Sequence, residues 1–92
     1  MYVTALSVQA HAVVDSLTPE RRREFETIRD HLAAFLPALE RAGLVRRTEF
    51  FNPEGWYRYY DPTFPYFIYF ELGSTMFGFR MDVLLIALIL PG

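Results

Sequence analysis

Ninety-two residues, 52% hydrophobic and 22% charged, make a single folding domain, residues 1–92, and exclude an intrinsically disordered chain. The net charge is −2 and Arg supplies all nine cations, so no global positive field is available to draw in nucleic acid. The lack of Cys excludes a disulfide framework, a thiolate nucleophile and a Cys-based metal site, and suits a reducing cytoplasm, the expected location.

The N-terminal residues carry no positive charge ahead of an apolar stretch and are not read as a secretory signal. From Val3 to His11 apolar Leu6, Val8 and Ala10 alternate with polar Ser7, Gln9 and His11, the period of a half-buried strand. Leu17-Thr18-Pro19-Glu20 then reads as a helix start, with Thr18 as cap, Pro19 at the first helical position and Glu20 at the positive end of the dipole. Phe25, Ile28, Leu32, Phe35, Leu36 and Leu39 recur at three- and four-residue steps to form one apolar stripe, and Gly43 supplies the stop. Pro37 lies inside this run and predicts a kink between Ala34 and Leu36.

Beyond Val45 the chain turns aromatic and β-branched. Asn52-Pro53-Glu54-Gly55 is a turn signal. Setting Phe51 opposite Trp56 across it pairs Glu49 with Arg58 and Arg46 with Asp61, two opposite-charge contacts worth about 0.2–1 kcal/mol each. Asp61-Pro62-Thr63-Phe64-Pro65 breaks the chain, Tyr66 to Leu72 reads as a strand, and after Gly73-Ser74-Thr75 a last strand runs from Met76 to at least Val83. The uninterrupted Val83–Leu90 run is read as strand continuation in preference to a short helix capped by Asp82. At eight residues it is far short of the roughly 20 that a helical membrane span needs, which leaves surface contact with lipid as its only membrane reading.

The expected fold is therefore α+β: a single long helix packed on a mainly antiparallel sheet of about five strands, in the order β-α-β-β-β-β. Five strands spaced about 4.8 Å apart exceed 20 Å in width, whereas a helix is about 10–12 Å across. The helix is expected on the face of Ile68, Phe70 and Leu72, with Phe67 and Tyr69 on the other. Thirteen of the sixteen aromatic residues fall between Phe50 and Phe79, so the second face stays aromatic where such sheets are ordinarily polar. Trp56, Tyr57, Arg58, Tyr59, Tyr60, Phe67 and Tyr69 are the candidate interaction residues, because Trp, Tyr and Arg are the types enriched at binding hot spots.

No catalytic, metal or phosphate motif competes with that reading. His11 and His31 lack a partner at metal spacing, Glu26 and Asp30 sit among Arg22, Arg23 and Arg29, and Arg22 is expected to pair with Glu26. Glu71, Asp82 and Arg80 are the only charged residues after Pro62, and an ion pair across the last hairpin is their expected role. The function expected is non-enzymatic protein–protein association without cofactor or metal, the partner being another protein chain and a homodimer the favoured form. Two alternatives stand beside it. One is a ligand-binding or catalytic pocket lined by Tyr57, Arg58, Tyr59, Phe67 and Tyr69. The weaker is single-stranded nucleic-acid binding, in which rings such as those of Met76-Phe77-Gly78-Phe79-Arg80 stack on bases.

Overall fold

The computed structural model describes residues 2–48, 56–76 and 78–89. The elements are β1 (Tyr2–Leu6), α1 (Val8–Ser16), α2 (Pro19–Arg41), β2 (Val45–Thr48), β3 (Trp56–Asp61), β4 (Phe64–Thr75) and β5 (Gly78–Leu88). One mixed sheet has the order β1-β5-β4-β3-β2. Pairing is antiparallel from β2 to β5, while β1 returns to the edge of the sheet parallel to β5.

Two helices replace the expected one. The first strand ends at Leu6 because Ser7 caps a helix: its backbone is extended and its Oγ accepts the Ala10 N–H at 3.0 Å. Ala10, Val13, Val14 and Leu17 lie at helical spacing and pack into the core, whereas Val8, an inward position in the strand reading, is 91% exposed. The start of α2 is as expected, with Thr18 Oγ1 accepting the Arg21 N–H and Pro19 in the first turn. Its end is a Schellman motif: Gly43 has φ +82°, its N–H reaches the Glu40 carbonyl, and the Leu44 N–H reaches that of Leu39. The kink is present at Phe35 (φ −129°, ψ 29°), two residues before Pro37, whose missing N–H and bulky ring disrupt the preceding turn. It removes Phe35 from the predicted stripe. Phe25, Leu32 and Leu36 are buried, while Phe35 is exposed and its ring meets His31 edge-on.

Both helices cover one sheet face. The core joins Ala10, Val14, Phe25, Leu32 and Leu36 to Val45, Tyr59, Phe64, Ile68, Phe70, Met81, Val83 and Ile86. Among the described residues no charged or polar residue is buried. Replacing a fully buried ring such as Phe25 or Phe70 with Ala would cost about 3–5 kcal/mol.

The β2–β3 register departs from expectation. Thr48 pairs with Trp56 and Val45 with Tyr59, so Arg46 lies opposite Arg58 instead of Asp61. Glu49 and the Asn52–Gly55 turn fall outside the described residues. The shift is odd, so it exchanges the faces of β2 and turns Val45 into the core. Burying Val is worth about 1.5–3 kcal/mol, against about 0.2–1 kcal/mol for each surface charge pair. The last hairpin also turns later than predicted. Gly73, Ser74 and Thr75 belong to β4 and pair with Arg80, Phe79 and Gly78, and Gly78 makes the return at φ +149°. β5 then continues as a strand to Leu88.

One irregularity in β5 organises this half of the molecule. Tyr69 pairs with Leu85 but Phe70 pairs with Val83, leaving Leu84 as the extra residue of a bulge. On the outer edge of β5, where β1 has ended, side chains continue the ladder. Ser7 N–H donates to the Val83 carbonyl and Ser7 Oγ to that of Leu84 at 2.6 Å. The Gln9 amide donates to the Ile86 carbonyl and accepts the Ile86 N–H, both at 3.1 Å. Gln9→Leu strands both Ile86 groups and is expected to destabilise the fold by about 1–2 kcal/mol. Val8→Ser next to it should stay within about 0.5 kcal/mol of the parent. Urea midpoints by circular dichroism read both, and equal midpoints for the two variants would refute this role of Gln9.

Candidate functional site

The helix-free face can be laid out in rows from the strand pairings. One row is Thr48, Trp56, Glu71, Asp82 and Ala5; the next is Arg46, Arg58, Tyr69 and Leu85. Beyond these lies Phe67 with Ala87, the Tyr60 ring beside it, and on the far side Gly73, Arg80 and Val3. The period of two explains the selection: inward Tyr57, Tyr59, Ile68 and Phe70 alternate with outward Trp56, Arg58, Tyr60, Phe67 and Tyr69.

The seven candidate residues therefore divide. Trp56, Arg58, Tyr60, Phe67 and Tyr69 share the open face, whereas Tyr57 and Tyr59 point toward the helices. The Tyr57 ring stacks on Phe70 at 5.6 Å with planes 15° apart and carries the Arg47 guanidinium 5.8 Å from its centroid. Tyr59 is 4% exposed. The sheet stands between the two groups, so the five residues of the expected pocket do not line one cavity within a chain.

On the open face the side chains form a layered cluster. Tyr69 is only 7% exposed yet lies outside the helix-side core. The Phe67 ring is 6.2 Å from that of Tyr69 and 5.4 Å from that of Tyr60, which is 42% exposed at the rim. The Arg58 guanidinium lies 4.8 Å from the Phe67 centroid, a cation–π contact of about 0.5–2 kcal/mol. Arg58 as a whole is half-buried, with its cation set over an aromatic ring.

The charges of this face are unevenly matched. Arg46 stands opposite Arg58, and Glu71 opposite Asp82, and like charges directly across a ladder are destabilising. Arg80 binds Asp82 through its Nε at 3.0 Å; this ion pair runs along β5 and does not cross the hairpin as the sequence suggests. Glu71 has no ion pair among the described residues.

A second feature, missed in the sequence, is a groove of about 310 Å³ between α2 and the β3–β4 connection, lined by Glu24, Ile28, His31, Tyr59, Asp61 and Phe64 among others. Tyr59 donates its phenol to Asp61 Oδ2 at 3.1 Å, and Asp61 Oδ1 accepts the Thr63 N–H and hydroxyl at 2.9 and 2.8 Å. The Thr63 bonds, with that of Tyr59, hold the Asp61 carboxyl below its ordinary range. Burial, reinforced by the Asp61 charge, raises the Tyr59 phenol well above its ordinary value. The Asp-Pro-Thr spacing is the signal for this side-chain-to-backbone turn.

Several ionisable groups of the helices pair locally. His11 pairs with Asp15 at 3.0 Å, Arg21 with Glu24 at 2.6 Å, and Arg29 with Glu26. Arg22 reaches back to the Asp15 carbonyl at 3.0 Å instead of to Glu26, because it lies beside the α1–α2 junction. Among the described residues no three His, Asp or Glu side chains gather as a metal site, and no helix is long and apolar enough to cross a membrane. Comparison with known proteins gives no match: no family model fits the chain, and no curated protein or solved structure is significantly similar to it.

The Tyr59 shift has a direct consequence. A phenol whose folded-state pKa is raised holds its proton more tightly than in the unfolded chain, so the stability that Tyr59 contributes is constant below the unfolded value near 10 and falls as pH rises through it. Between pH 8 and 11 the wild-type urea midpoint should drop more steeply than that of Tyr59→Phe. Parallel pH profiles would refute the assignment.

Proposed function

We propose that this chain is a small, non-enzymatic protein-association module whose helix-free sheet face packs against a second copy to form a dimer. The cluster of Tyr60, Phe67, Arg58 and Tyr69 carries the reading, because it puts aromatic rings and a guanidinium on a surface that neither helix reaches. These are hot-spot residue types, packed closely enough to be rigid before a partner arrives.

The dimensions are suitable. A five-stranded face is about 24 Å wide and about 25 Å long, on the order of 600 Å² in projection and more with side-chain relief, close to the roughly 800 Å² each partner contributes to a standard interface. At about 25 cal/mol per Å² of apolar surface, covering even half of it gives a substantial drive to associate. Val3, 70% exposed, extends the apolar surface along the β1 edge.

Light scattering coupled to size-exclusion chromatography tests the proposal. At high micromolar concentration the wild type should elute at about twice the 10.8 kDa chain mass, and Phe67→Asp should shift it to the monomer with unchanged circular dichroism. A wild-type monomer, or an oligomer that Phe67→Asp leaves intact, would defeat the reading.

A further inference from the structure

We infer that the two copies pack about a two-fold axis that sets Arg58 of each chain against Glu71 of the other, a register resting on the association proposed above. On this face the strand pairings concentrate opposite charges in separate places: Arg46 beside Arg58 on β2 and β3, Glu71 beside Asp82 on β4 and β5. Each is a like-charge cross-strand pair, unfavourable within the chain. They do not neutralise each other internally. The Arg58 guanidinium lies over Phe67, on the side of Tyr69 away from Glu71, and Arg80 serves Asp82. The face thus carries both signs, offset from one another, and a surface of that kind is complementary to itself after a two-fold rotation.

The lattice of the sheet gives the geometry. Arg58 and Glu71 are one strand and one two-residue step apart, about 4.8 Å by about 6.7 Å. A two-fold axis lying in the interface midway between them is oblique to the strands. The two sheets then cross steeply, nearer the orthogonal than the aligned class of face-to-face packing. On a flat lattice the same operation carries Phe67 over the β1–β5 side of the partner, among the partner's Ala5, the partner's Asp82 and the partner's Leu85, and brings Tyr60 toward the partner's Asp82. Each dimer contains the Arg58–Glu71 contact twice, so a single substitution acts twice.

Reciprocal charge reversal tests the register. Arg58→Glu and Glu71→Arg should each weaken self-association by at least ~30-fold, since each leaves two repulsive contacts in place of two attractive ones. An equimolar mixture of the two should form a heterodimer, and the double variant R58E/E71R should self-associate, both within ~10-fold of wild type. Sedimentation equilibrium gives the masses, and circular dichroism identifies any variant that has lost its fold. Full association of either single variant, or a monomeric mixture of folded variants together with a monomeric double variant, would overturn the register. If Phe67→Asp still abolishes association in that case, the association reading stands and only the register fails. If Phe67→Asp leaves the mass unchanged, the association surface itself is wrongly placed.

Discussion

Val83 and Ile86 are three residues apart, yet both point into the core against the helices. In an unbroken strand the period of two would place them on opposite faces. The extra residue at Leu84 corrects the phase, and without it either Val83 or Ile86 would leave the core. Because β5 is flanked by β1 and β4, this correction fixes what β4 shows to each side, and through β4 what β3 shows. The backbone groups of Leu84 and Ile86 on the other side of β5 face the place where the parallel neighbour has ended. Ser7 and Gln9 meet them from the first turn of α1, so the helix start and the strand irregularity form a single device.

The division of the aromatic residues follows from that phase. Inward Tyr57, Tyr59, Phe64 and Phe70 join the helix-side core, while Trp56, Tyr60, Phe67 and Tyr69 remain opposite. The polar atoms obey different rules on the two sides. Tyr59, deep in the helix layer, keeps its phenol at the boundary where Asp61 accepts its hydrogen bond, and a carboxylate fixed by the Thr63 turn makes a stable acceptor. Arg58, on the helix-free side, lies over the Phe67 ring and meets no carboxylate among the described residues.

Much of this was readable in the residues, though unevenly. The Thr18-Pro19 start of α2, its Gly43 stop and the Pro37 kink all came from local chemistry, and local rules do not depend on what packs nearby. The assignment of Ile68, Phe70 and Leu72 to the helix side, with Phe67 and Tyr69 opposite, came from alternation alone. The α1 helix was missed because Leu6, Val8 and Ala10 also alternate; the stronger signal was the 3.6-residue spacing of Ala10, Val13, Val14 and Leu17 with Ser7 as cap. Two surface ion pairs are a weaker guide to the β2–β3 register than the burial of Val45. The Leu84 bulge left no local mark, since in Val-Leu-Leu-Ile every position is apolar and no period can be counted. Which alternate set of β3, Trp56, Arg58 and Tyr60 or Tyr57 and Tyr59, shares the face of Phe67 and Tyr69 becomes definite only with the β3–β4 pairing.

The Gln9 amide has a further consequence, for solubility. Val83 to Leu88 is uncharged, lacks Pro and is rich in β-forming residues, the composition of segments that stack into fibrils when a strand edge is free. On one side β4 occupies that edge. On the other, where a row of open N–H and C=O groups would be a template for a foreign strand, Gln9 and Ser7 occupy the hydrogen-bonding positions with side chains that cannot propagate a ladder. At the opposite end of the sheet, β2 is guarded differently, by Arg46 and Arg47. The first turn of α1 therefore protects the chain from aggregation at its most vulnerable strand, a duty that persists whether or not the aromatic face is covered.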